Sequence, residues 1–90
     1  MRARGLIARN MRRLRVAMGI SQDAFAVDAR IDRTYVSRLE RQLENPSVDV
    51  LERIARALDV DIRALFDPKG AQTRVAPLPG GRKSQILKKK

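Results

Sequence analysis

Four side chains that carry hydrogen-bond donors, Arg33, Thr34, Ser37 and Arg38, stand within six residues of one another, at separations that gather them at the start and outer face of one helix. A guanidinium can donate two parallel hydrogen bonds to the O6 and N7 acceptors of guanine, and a threonine offers either its hydroxyl or a methyl for thymine. Upstream, the Gln22 amide can bond a phosphate oxygen and brace the helix that follows, while Arg41 can reach a sugar-phosphate backbone from the far end. Taken singly, each arginine also fits an ordinary solvated or salt-bridged surface residue. As a set they describe recognition chemistry.

The composition argues against a chemical step. The 90 residues contain no histidine and no cysteine, which removes disulfides, the common zinc sites and the usual neutral-pH general base. Asp49, Glu52, Asp59 and Asp61 fall on a mixed-charge helical surface without metal-ligand spacing or an acid-base partner, so no catalytic residue, metal or cofactor is expected and the chain is not read as an enzyme. Twenty basic residues against ten acidic ones give a net charge of +10 and a pI near 11.4. That balance suits a polyanion, either nucleic acid or an anionic membrane surface, although a basic protein without such a target has the same charge. No run approaches the roughly 18 apolar residues of a membrane span, and no signal-peptide core opens the chain. The expected location is the cytoplasm, with no membrane partner and no small-molecule site evident.

The elements that would hold the four donors are helical. Hydrophobic residues make up 43% of the chain but aromatics only 3%, so the apolar mass is Ala, Leu, Ile and Val. Ile7, Met11, Leu14 and Met18 step by 4, 3 and 4 along one helix face, and Gly19 stops that helix. Ser21 caps a second helix, with Phe25 and Ala26 inside it, ending near Ala29. Asp32 caps a third, with Val36 and Leu39 facing inward, to about Arg41. After a break at Asn45-Pro46, Ser47 caps a fourth helix with an apolar stripe of Val50, Leu51, Ile54, Ala55 and Leu58. Asp61 opens a last short helix ending at Leu65-Phe66, and Pro68 closes the structured part.

Residues 1–66 hold 13 arginines and 9 acidic residues, a net of +4, whereas 67–90 hold 7 basic and 1 acidic, a net of +6. All five lysines and three of the four prolines lie in the second stretch. Without apolar periodicity it cannot offset its ordering entropy, so the reading is a domain over 1–66 and a basic disordered tail over 67–90.

Only Arg30 and Ile31 separate the second helix from the cap of the third, which is helix-turn-helix spacing. The segments MRRLRVAMGISQDAFA, RIDRTYVSRLERQ and ENPSVDVLERIARALDVDIRALF resemble the phage repressor and Cro-like (XRE-type) helix-turn-helix family, over Ile7 to Phe66. The resemblance implies an all-α, five-helix DNA-binding domain controlling transcription, acting on double-stranded DNA as a homodimer on an inverted-repeat operator. It places Gln22 on the family's phosphate-contacting glutamine, Arg33, Thr34, Ser37 and Arg38 on its base-reading positions, Arg41 on a phosphate-contacting position and Tyr35 where a side chain lies against the backbone. It also pairs Arg15 with Glu40 as a partly buried bridge between helices one and three. Arg30, Gln42 and Asp59 depart from the pattern, standing after helix ends where the family commonly has glycine. Either these turns are strained or the helices run longer. An antitoxin-type module that masks a protein partner and also binds its own promoter is the alternative reading. Its apolar anchors would have to come from Val75, Leu78, Ile86 and Leu87, scattered among charges and prolines. Nonspecific nucleic-acid binding through Lys88 to Lys90 is a third.

Overall fold

The computed structural model describes residues 2–72, and the tail expected to be disordered lies outside them beyond Gln72. Within that span the elements are α1 (Ala3–Ala17), α2 (Gln22–Ala29), α3 (Arg33–Glu40), α4 (Val48–Ala57), a 3₁₀ helix (Ile62–Phe66) and α5 (Pro68–Ala71). The polar caps set most of the starts. The Ser21 hydroxyl accepts from the Ala24 N–H at 3.0 Å, Ser47 does the same for Val50 at 3.1 Å, and the Asp61 carboxylate takes the Arg63 N–H at 2.8 Å. Asp32 holds the cap position of α3 but makes no side-chain cap hydrogen bond, contrary to expectation.

One core joins these elements. Met11 of α1, Phe25 of α2, Val36 of α3, Ile54 of α4 and Leu65 of the 3₁₀ helix are fully buried, with Leu39, Leu51 and Leu58 around them. Each such side chain contributes about 1.5–3 kcal/mol by leaving water. The α1 stripe is shorter than its spacing suggests. Met18 is 42% exposed because α1 ends at Ala17, which leaves Met18 as the C-cap where the chain turns away through Gly19 at φ 73°.

The boundary drawn at Phe66 falls short. Asp67 caps α5 through the Lys69 N–H at 3.0 Å, Pro68 occupies its first turn, and Gly70 and Ala71 are buried where α5 packs against α1. Proline lacks the N–H that a first turn leaves unbonded, so Pro68 starts a helix here rather than ending the fold.

Arg30, Gln42 and Asp59 all adopt left-handed backbone conformations, at φ 60°, 65° and 56°. The strained alternative is therefore the one realised. A left-handed L-residue costs roughly 1–2 kcal/mol, while glycine gives back about 0.4–1 through the unfolded chain's entropy. Arg30→Gly and Gln42→Gly are accordingly expected to raise the unfolding free energy by about 0.5–1 kcal/mol each in urea melts. Asp59→Gly should gain less, because Asp tolerates this region better. A loss of stability at Arg30 or Gln42 would show that side-chain contacts there outweigh the strain.

Candidate nucleic-acid interface

Glu40, at the end of α3, holds α1, α2 and α3 together. Its carboxylate takes the Arg15 fork, Nε at 2.7 Å and Nη2 at 3.0 Å, with side chains only 8% and 5% exposed. The third nitrogen, Nη1, donates to the Ile20 carbonyl at 2.8 Å. Gln22 Nε2 donates to the same Glu40 carboxylate at 3.1 Å. One acidic group thus ties α1, the turn after it, the start of α2 and the end of α3. The expected Arg15–Glu40 bridge is present, and more buried than partly.

On α3, a turn of about 100° per residue spreads Arg33, Ser37, Arg41, Thr34 and Arg38 over an arc of roughly 140°, opposite buried Val36 and Leu39. Arg33 and Thr34 are exposed at the N-terminal end, Ser37 and Arg38 are half-buried, and Arg41 is exposed at the C-cap. Arg33 Nε meets Asp23 of α2 at 2.9 Å, in a pair 63% and 74% exposed. Such a pair is worth about 1 kcal/mol or less and opens readily to a better acceptor. Arg41 Nε bonds the Ser37 carbonyl at 3.4 Å. Arg38 Nε bonds Glu44 at 2.7 Å, and its Nη2 bonds the Leu43 carbonyl at 3.3 Å.

Tyr35 is half-buried against the core. Burial, then the nearby Glu44 carboxylate, push its phenol up from the ordinary tyrosine value, with Arg53 opposing. The hydroxyl therefore stays protonated through neutral pH and remains a donor. Gln22 sits at the first position of α2 with one amide proton on Glu40 and a second to give. All seven residues singled out in the sequence thus lie on α3, at its C-cap, or at the start of α2. Asp23, Glu44 and Arg53 were not singled out, although each engages this region. Arg53 Nε reaches from α4 to the Ala29 carbonyl at the end of α2, at 3.2 Å. No periodicity links these residues to their partners, which come from other elements or across a loop.

A helix packed against a second helix whose outer arc is lined with donors is the arrangement of a helix-turn-helix unit, in which the second helix enters the major groove. A family profile described as Helix-turn-helix matches residues 11–65. The chain belongs to that family. Within it, the chain is 37% identical over 87 residues to a hypothetical transcription factor of Neisseria meningitidis serogroup B, covering 87% of this chain and 82% of that protein. It is 34% identical over 65 residues to the HTH-type transcriptional regulator SinR of Bacillus subtilis, covering 71% of this chain and 59% of SinR. The crystal structure of the restriction-modification controller protein C.AhdI from Aeromonas hydrophila superposes with a TM-score of 0.68 at 36% identity, over 70% of this chain and 96% of that one. This helix-turn-helix protein is a DNA-binding transcription regulator of the XRE type. No helix among the described residues is long and apolar enough to cross a membrane.

Proposed function

We propose that the chain binds an inverted-repeat operator as a homodimer and controls transcription by occupancy in the cytoplasm, without a chemical step. Each copy lays α3 in the major groove. Arg33, Thr34, Ser37 and Arg38 meet base edges, Gln22 and Arg41 hold phosphates, and Tyr35 lies along the backbone. The observation that carries this reading is the outer arc of α3, where donors line one side and Val36 and Leu39 anchor the other. Two-fold symmetry supplies the second half-site, since one short helix reads too few base pairs to find an operator.

The test is a titration of Arg33→Ala, Arg38→Ala and Arg41→Ala against an operator selected from random duplexes and its single-base variants, at one salt concentration. Loss of a bidentate base contact costs about 1–3 kcal/mol at its own base pair, whereas loss of a phosphate contact weakens all sites about equally. Arg33→Ala and Arg38→Ala are each expected to relax one half-site position, and Arg41→Ala to lower affinity evenly. Uniform losses for all three would leave only electrostatic binding.

A further inference from the structure

Glu44 lies in the connection between α3 and α4, outside both helices of the DNA-binding unit. The chain returns it to α3 through the left-handed residue Gln42. The Gln42 N–H bonds the Leu39 carbonyl at 3.0 Å and the Leu43 N–H bonds the Arg38 carbonyl at 2.8 Å, which folds the connection back along the last turn of α3. Glu44 and the Leu43 carbonyl thereby face one edge of the Arg38 guanidinium, occupying Nε at 2.7 Å and one proton of Nη2 at 3.3 Å. The opposite end of the guanidinium, formed by Nη1 and the second Nη2 proton, makes no hydrogen bond among the described residues. That end is itself a two-donor fork, of the kind that matches guanine O6 and N7.

We propose that Glu44 is a specificity-determining positioning residue: it holds Arg38 by one edge so that the free end of the guanidinium is presented to a guanine. The inference rests on the base-reading role of Arg38 proposed above. Free arginine side chains sample many rotamers and lose that freedom on binding, whereas a guanidinium already gripped at Nε loses less when it docks. The Arg38 side chain is 44% exposed and Glu44 27%, so the grip is firm enough to orient and open enough to leave the far end accessible. Contact with Glu44 also withdraws Arg38 from phosphates. A carboxylate repels every phosphate alike but a guanidinium aimed at a base edge favours one sequence, so Glu44 costs general affinity while it raises discrimination.

Two substitutions separate orientation from charge. Glu44→Ala removes both the charge and the acceptor, whereas Glu44→Gln removes the same charge and keeps an oxygen at the same reach. The full chain is titrated against a duplex selected from a random pool by the unsubstituted protein, its single-base variants and a mixed-sequence duplex, with urea melts confirming that each variant folds. Glu44→Ala should reduce discrimination about tenfold at the position relaxed by Arg38→Ala, and raise affinity for the mixed-sequence duplex by about two- to threefold. Glu44→Gln should raise that general affinity to the same extent and retain most of the discrimination. In the Arg38→Ala background, Glu44→Ala should remove no further discrimination. Equal gains on every duplex for both variants would reduce Glu44 to a repulsive charge and overturn the proposal. So would improved discrimination in Glu44→Ala, which would make the contact a restraint that DNA must break. If Arg38→Ala relaxes no position, the base-reading role and this proposal fall together; if it does and Glu44→Ala does not, only the positioning role falls.

Discussion

Replacing Glu40 with alanine is expected to lower the unfolding free energy by about 3–5 kcal/mol, against about 1 kcal/mol or less for Glu44→Ala. The difference comes from what each carboxylate leaves behind. Without Glu40, the Arg15 guanidinium stays enclosed with only the Ile20 carbonyl as partner, and Gln22 loses its acceptor. Without Glu44, Arg38 turns to water. Urea melts of the two variants under one buffer condition measure this contrast directly. A difference within error would mean that Arg15 finds water or another acceptor in the variant. Replacing both partners, Arg15→Met with Glu40→Leu, should recover most of the loss, because removing an entire buried pair avoids an orphaned charge. The doubly substituted protein should nevertheless bind DNA less well, since Gln22 is no longer held.

The second large effect is expected at Asn10. This side chain is fully buried on α1, and its amide donates to the Leu65 and Asp67 carbonyls, both at 3.0 Å. Those carbonyls flank the end of the 3₁₀ helix and the start of α5, so one amide fastens the C-terminal elements to α1. Asn10→Leu keeps the volume and strands the buried Leu65 carbonyl, at about 1–3 kcal/mol for a buried group left unsatisfied, whereas the Asp67 carbonyl keeps the Ala71 N–H. The lost hydrogen bond to Asp67 adds about 0.5–1.5 kcal/mol, for a total of about 2–4 kcal/mol. Arg13, whose Nη2 bonds Asn10 Oδ1 at 3.2 Å, is released as well. Hydrogen exchange localises the damage: the Ala71 N–H, bonded to the Asp67 carbonyl, should lose protection in Asn10→Leu before the α3 amides do. Equal loss across the domain would show that α5 and the core open as one unit.

The helix pattern was legible where one chemical signal had one meaning. Ser21, Ser47 and Asp61 cap because a short oxygen-bearing side chain ahead of an apolar run has little else to do there. The left-handed corners at Arg30, Gln42 and Asp59 could be located from the departures from glycine, although only the structure decides between strain and longer helices. Pro68 was misread because proline both ends helices and begins them, and the buried Asn10 that retains α5 carries no mark in the sequence. Met18 follows a true periodicity one residue past the point where the helix ends. At the candidate interface, the positions on α3 follow from helical spacing. Their partners do not: Asp23 belongs to another helix and Glu44 to a loop folded back by a left-handed residue, so both pairings are products of tertiary structure.

The shared carboxylate of Glu40 has a mechanical consequence. Because Gln22 and the end of α3 are fastened to the same buried group, the parts of the domain proposed to meet phosphates and base edges cannot slide past each other to follow an irregular groove. A stiff reading head transfers the work of adjustment to the duplex. Base pairs that no side chain touches then influence affinity through the energy needed to twist, bend or narrow them. Operators of equal contacted sequence should be ranked by how readily their uncontacted steps deform.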